Sequence, residues 1–386
     1  MSFMAKDWDK ALVPVKHWKE IHRVMKDGAF AFVMSIPRQD LLARMIINLE
    51  KAGFDMGFTS IYWLYKTGFP KVYNMSKAID RKAGAKREVL GRSPNARANR
   101  NAYQGIVLQK YRDTAVIDLP STDLAKQFDG SYGGYQPAPA VEVVLVAMKP
   151  LTEKTYVEQV LKNAKGISWL DNCRIPVPEW DTNNYDYNRR GSYERAINPR
   201  PLHEGGFKPL SPDDLPSMKG RFPANLLVCD GVLGKEDSRY FDLDLWWTHK
   251  IEELDPKIQK THPFWVIPKP SQEEKNKNCK DLVSTRKVFR KGEALGGQQE
   301  TVEYVGNYHV SVKPVRLMSY LITMGSQVND TILDPFLGSG TTVLAAQMLK
   351  RKYLGIEKDH GYYTIARARA GLNKKNVKSL FKRKKK

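Results

Sequence analysis

Residues 331–359, TILDPFLGSGTTVLAAQMLKRKYLGIEKD, leave little choice of local structure. Thr331 to Leu333 read as a buried strand, Thr341 to Lys350 as a helix and Tyr353 to Ile356 as a second strand. A strand, a helix and a strand in close succession make a parallel pair joined by a crossover. Between the first strand and the helix lies a tight turn, and Gly338 and Gly340 carry no side chain where the backbone must bend and approach a ligand. The start of the helix presents unpaired N–H groups and a partial positive charge to any anionic group. Glu357 ends the second strand about 20 residues beyond Gly338, where a carboxylate accepts both ribose hydroxyls of an adenosine. The turn is G-x-G followed by Thr341 and Thr342, without the third glycine of a dinucleotide fingerprint and without a Walker lysine.

The α/β pattern extends through both ends of the chain. Residues 16–26 predict a helix, GAFAFVMS (28–35) a buried parallel strand, 39–51 an amphipathic helix, and TSIYWLY (59–65) another strand. VEVVLVAM (141–148) predicts a further strand. Pro314 opens a helix carrying Val315, Leu317, Met318 and Leu321, and a last helix carries Tyr362, Ile365, Ala366 and Arg369. From about 150 to 300 the pattern is irregular and reads as an insertion.

Charge narrows the function. Sixty-three Lys and Arg against 42 Asp and Glu give a formal net charge of +21, a balance that suits a polyanionic partner, most often nucleic acid. Part of the excess is the tail KKNVKSLFKRKKK, and part is a basic stretch with Arg81, Lys82, Lys86, Arg87, Arg92, Arg97 and Arg100. Cys173, Cys229 and Cys279 are odd in number and widely spaced, so they read as reduced thiols with no metal site. No apolar run reaches the roughly 18 residues of a membrane span and no secretory core opens the chain, which reads as cytoplasmic.

DPFLGSGTT followed by GIEKDHGYYTIARAR resembles the permuted bacterial and phage DNA amino-methyltransferases, which act on adenine N6 or cytosine N4. HVSVKP (309–314) looks like that family's H-x-x-x-K-P element, PAVEVVLVAMKPL like its H-E-P-I-x-L-x-x-K-P strand, and IYWLYKTGFPKVYNMSKAID like the segment after its catalytic tetrapeptide. The resemblance implies a Rossmann-like sheet in permuted order with S-adenosyl-L-methionine as cofactor. Lys313, Asp334, Phe336, Gly338, Gly340, Thr341, Thr342 and Glu357 are then the cofactor residues. It also implies double-stranded DNA as partner, contacted by the basic stretch, in a bacterial or phage-infected cell. The implied organisation is a catalytic half over 1–80, a basic insert over 81–135, a returning core strand over 136–150, a target-recognition region over 151–300, the cofactor half over 301–372, and a basic tail over 373–386.

The family's chemistry rests on Asp/Asn/Ser-Pro-Pro-Tyr/Phe/Trp, and the sequence contains no Pro-Pro pair. No catalytic residue is therefore assigned. SFMAKDWD resembles the stretch just after that tetrapeptide, and the strand, helix and strand that precede it amount to about 30–40 residues. These strands are expected to be missing, through an upstream start codon, a split gene with a second polypeptide, or loss in an inactive DNA-binding relative. Adenine N6 is slightly favoured over cytosine N4 by prevalence among similar sequences.

Overall fold

The computed structural model describes residues 11–65, 73–92, 116–135, 137–177, 220–229, 231–259, 272–279, 282–288, 300–309 and 311–372. The chain divides into two compact units, the first formed by residues 1–66 and 141–386 and the second by 67–140.

In chain order, the first unit opens with helix α1 (Val15–Val24), strand β1 (Phe30–Ser35), helix α2 (Gln39–Lys51) and strand β2 (Ile61–Leu64). The second unit comes next, with β3 (Tyr73–Asn74), α3 (Met75–Ala83), β4 (Glu88–Arg92), β5 (Val116–Leu119), α4 (Asp123–Gln127) and β6 (Tyr132–Gly133). The first unit resumes with β7 (Val141–Met148), α5 (Tyr156–Asn163), β8 (Leu226–Val228), α6 (Gly234–Ser238), α7 (Leu243–Glu252), α8 (Pro256–Gln259) and α9 (Gln272–Lys275). It closes with β9 (Val283–Val288), β10 (Glu300–Val305), α10 (Val315–Gly325), β11 (Thr331–Asp334), α11 (Thr341–Met348), β12 (Lys352–Gly355) and α12 (His360–Arg369).

The main sheet has the order β1-β7-β2-β8. Strand β7 is its spine, and the period of two sorts its side chains into two cores. Val143, Leu145 and Ala147 pack with Trp18, Met45, Leu49 and Phe54 of the α1–α2 layer. Val144 faces the other way, into a cluster with Trp63, Trp246, Trp247, Leu317, Tyr320 and Leu344. Burying a side chain such as Leu49 or Leu317 stabilises the fold by roughly 1.5–3 kcal/mol each. Helix α10 is almost wholly enclosed, with every residue buried except Met318 and Gly325. Helices on both faces of a sheet, with a β11–α11–β12 parallel unit, make this an α/β, Rossmann-like architecture.

Two expectations change. Strand β1 pairs antiparallel with β7, not in a parallel ladder, because an apolar run of this kind fits either partner. Pro314 is the N-cap of α10, with extended backbone, and the helix begins at Val315. Helix α3, assigned to the catalytic half, belongs to the second unit with the basic stretch. Within 151–300, assigned to target recognition, β8 joins the main sheet parallel to β2 and α7 buries Leu243, Trp246, Trp247 and Ile251 in the core. Cys173, Cys229 and Cys279 are free and buried. No described helix is long and apolar enough to cross a membrane.

Candidate functional site

Strand β11 delivers Asp334 to the head of the glycine turn. Its carboxylate accepts the Phe336 N–H at 3.0 Å and the Thr342 hydroxyl at 2.5 Å, so it ties the strand end to the first turn of α11. Burial pushes the Asp334 carboxyl up, and the bonds from Thr342 and Phe336 oppose that rise. The turn is stitched to β12 by Leu337 N–H to the Ile356 carbonyl and by Ile356 N–H to the Asp334 carbonyl, both at 2.9 Å.

Both predicted glycines adopt left-handed backbone, Gly338 at φ +53° and Gly340 at φ +80°. Each is also pressed by a neighbour. A Cβ on Gly338 would lie 2.8 Å from Nε2 of His309, and one on Gly340 would lie 2.9 Å from the Ala366 backbone. Glycine is therefore required twice over, for its φ and for its missing side chain.

Glu357 reaches back across the turn. Its Oε2 accepts the Gly338 N–H at 2.7 Å and its Oε1 accepts the Asp359 N–H at 2.8 Å. Each oxygen of an ionised carboxylate has room for a second donor. The acid and the glycine bend thus form one unit, as their spacing in sequence predicts.

The other predicted residues divide. Phe336 is half exposed beside the turn, its ring edge-on to Trp18 with centroids 5.7 Å apart. Lys313 pairs with Glu142 of β7 at 3.3 Å, and its charge helps hold His309 neutral. Thr341 and Thr342 are buried and their hydroxyls face inward, to Arg369 and to Asp334, where they brace the turn.

Two residues at this site escaped prediction. His309 is wedged between Gly338 and the Tyr362 ring, 4.4 Å from the latter, and accepts the Ser311 N–H on Nδ1 at 3.3 Å. Burial, then the charges of Lys313 and Arg369, push its pKa down to about 4. Arg369 is buried beneath the turn and bonds to Ser339 and Thr341. Its sequence signal was present, since it falls four residues after Ile365 on the apolar stripe of α12.

In the second unit, Arg81, Lys82 and Lys86 are exposed. Arg87 is not: only 11% of its side chain is accessible, and it bonds to Asp80 at 2.7 Å, Asp118 at 3.0 Å and Ser76 at 3.1 Å. That guanidinium ties α3 to β5. Arg97 and Arg100 lie outside the described residues, as does the Arg92 side chain.

A family model described as DNA methylase matches residues 218–368. The Type II methyltransferase M.HindIII of Haemophilus influenzae is 49% identical over 69 residues, 18% of this chain and 22% of its own length. M2.LlaDCHI of Lactococcus lactis subsp. cremoris, also a Type II methyltransferase, is 38% identical over 132 residues, 33% of this chain and 44% of its own length. The chain thus spans less than half the length of these relatives. Among solved structures, the cytosine-N4-specific PvuII DNA methyltransferase aligns over 92% of this chain and 68% of its own, with 13% identity and a TM-score of 0.37. The M1.HpyAVI–SAM complex aligns over 92% of this chain and 80% of its own, with 14% identity and a TM-score of 0.35. Over residues 218–368 the chain is thus similar to DNA methylases, and its listed relatives are Type II methyltransferases.

Proposed function

We propose that this chain binds S-adenosyl-L-methionine at the glycine turn and serves methyl transfer to an exocyclic amino group of a DNA base, adenine N6 or cytosine N4. The observation that carries this reading is the closure of Glu357 onto Gly338 N–H across a turn whose two glycines admit no Cβ. The residues present fit the cofactor. Glu357 keeps acceptor capacity for two ribose hydroxyls, Phe336 offers an exposed ring, and the α11 N-terminus with Lys313 makes a positive setting for a carboxylate. When bound, the cofactor supplies an electrophilic methyl group on a sulfonium. The amine is a weak nucleophile, so the protein's contribution is orientation and electrostatic placement.

The tetrapeptide that holds the target amine is absent from the sequence. Among the described residues, β1 pairs only with β7 and β11 only with β12, so each keeps one open edge. Open edges accept an added strand. A further extended segment that carries the tetrapeptide would complete the sheet there. Arg81, Lys82 and Lys86 are offered to DNA phosphates by the second unit.

Calorimetry of the folded chain with S-adenosylhomocysteine tests the first part, and a saturable heat is expected. A folded chain that takes up neither the methyl donor nor its demethylated product would overturn the reading. Labelled methyl incorporation into DNA is expected only when a tetrapeptide-bearing segment is added, and turnover by the chain alone would refute the need for that segment.

A further inference from the structure

Arg369 is a buried cation used in an unusual place. Only 1% of the residue is exposed. Its Nη1 donates to the Ser339 carbonyl at 2.9 Å, to the Ser339 hydroxyl at 3.1 Å and to the Thr341 hydroxyl at 2.9 Å. Its Nη2 donates to the Glu274 carbonyl at 3.3 Å. The Glu274 side chain, itself buried, accepts the Val315 N–H at 2.8 Å, the first N–H of α10 immediately after Lys313 and Pro314. One guanidinium thus reaches the glycine turn on one side. Through Glu274 it reaches the Lys313 segment on the other.

Stability alone is a poor reason for this arrangement. A buried charge is commonly replaced by an apolar side chain at little cost once its partner charge is also removed. Arg369 Nε–H has no hydrogen-bond acceptor among the described residues, which adds to the cost of keeping it. The cation also sits beside the N-terminus of α11, where the helix dipole disfavours positive charge. What the fork does supply is geometry. A planar group with several fixed donors sets the carbonyl and hydroxyls of Ser339 and Thr341 in one orientation, which an ammonium on a flexible stem does less well.

We propose that Arg369, working through Glu274, is the positioning residue of the methyl-donor site, fixing the Ser339–Thr341 bend and the Lys313 segment in the mutual arrangement that the cofactor requires. The proposal rests on the reading of the glycine turn as that site. Arg369 acts through the bend and the Lys313 segment that it holds in place.

The test is S-adenosylhomocysteine affinity of the full chain by calorimetry, with thermal melting of each variant. Arg369→Met combined with Glu274→Gln removes both charges and keeps an acceptor for Val315 N–H. It is expected to melt near the parent and to bind at least tenfold more weakly. Arg369→Lys keeps the charge without the fork and is expected to recover only part of that loss. Leu49→Ala, a cavity in the core on the far face of β7, should lower the melting temperature with affinity held within twofold. The proposal is overturned if the double variant binds within twofold of the parent, or if affinity simply follows melting temperature across all the variants. Should the folded parent take up no S-adenosylhomocysteine, the cofactor reading itself fails and this proposal goes with it.

Discussion

The glycine turn and the second unit solve opposite problems. Around the turn almost every group is committed. Gly338, Gly340 and Gly355 each face a neighbour that an added Cβ would meet at 2.6 to 2.9 Å, and the hydroxyls of Thr341 and Thr342 are used internally. In the second unit, Gly84, Gly91, Gly130 and Gly134 have open space where a Cβ would go, and Val89, Leu90 and Tyr135 stand more than half exposed. Its order comes from a charge hub instead. Burial raises the Asp80 carboxyl, but bonds from Ser121 N–H, Thr122 N–H and hydroxyl, and Arg87 outweigh this and hold it at about 2. A surface that must offer a fixed backbone to a small rigid ligand is over-determined by packing. A unit built on a few ionic bonds leaves its faces free to vary.

The sharpest way to break this contrast is to add one methyl group in each region. Gly340→Ala meets both a left-handed φ and the Ala366 backbone, so it should cost roughly 2–5 kcal/mol from backbone strain and overpacking together. Gly84→Ala, at φ +69° with nothing near, should cost only about 1–2 kcal/mol. Urea denaturation measures both. Equal losses would mean that packing at the turn is slack, and that its glycines serve φ alone.

The same contrast explains what could be read from the sequence. The β11–turn–α11–β12 unit was legible because its constraints are local: glycine spacing, a strand of four residues and a helix that starts at once. The terminal helices and β7 were legible from periodicity. The direction of β1 was not, since which neighbour an apolar strand pairs with is decided by the topology and not by the run itself. Strand β8 is three residues long, too short for any period, and so its region passed for an insertion. Arg369, Glu274 and His309 were missed for one reason. Their roles depend on distant partners such as Ser339, 30 residues from Arg369, so even Arg369, whose burial the stripe of α12 signalled, gave no sign of what it holds. Arg87 shows the converse, because a basic residue in a basic stretch looks solvated until Asp80 and Asp118 are seen around it.

Two buried titrating groups of the first unit sharpen the comparison next. Burial pushes the Glu274 carboxyl up to about 7, against the Val315 N–H bond and the charges of Arg369, Arg316 and Lys275. From about pH 4.5 to 7 the unfolded chain has lost a proton that the folded chain keeps, so stability falls as pH rises, by about 3 kcal/mol in all. His309, held down to about 4, acts in reverse. From about pH 4 to 6.5 the unfolded chain carries a proton that the folded chain lacks, so stability rises with pH by a similar amount, about 3 kcal/mol. The two slopes nearly cancel in the parent. Glu274→Gln should expose the rise and His309→Gln the fall, read as denaturation midpoints across this pH range. Parallel curves for both variants and the parent would show that neither group is buried as described.

The smallest expected effect separates the two kinds of basic residue within the second unit. Lys82 and Lys86 are exposed and make no ion pair among the described residues, so either is free to neutralise a phosphate. Replacing one by Ala should leave the unit folded and reduce the slope of log affinity against log salt by about 1, with a modest loss of DNA affinity at low salt. Arg87→Met should do the opposite. It leaves Asp118 to Lys77 alone and Asp80 to Ser121 and Thr122, without a cation, so the unit loses protection from limited proteolysis. Filter binding across a salt series, beside proteolysis of the same samples, distinguishes them. If Arg87→Met lowered the salt slope by one and left the unit as protease-resistant as the parent, its guanidinium would belong to the DNA surface after all. The charge hub would then be incidental to the fold.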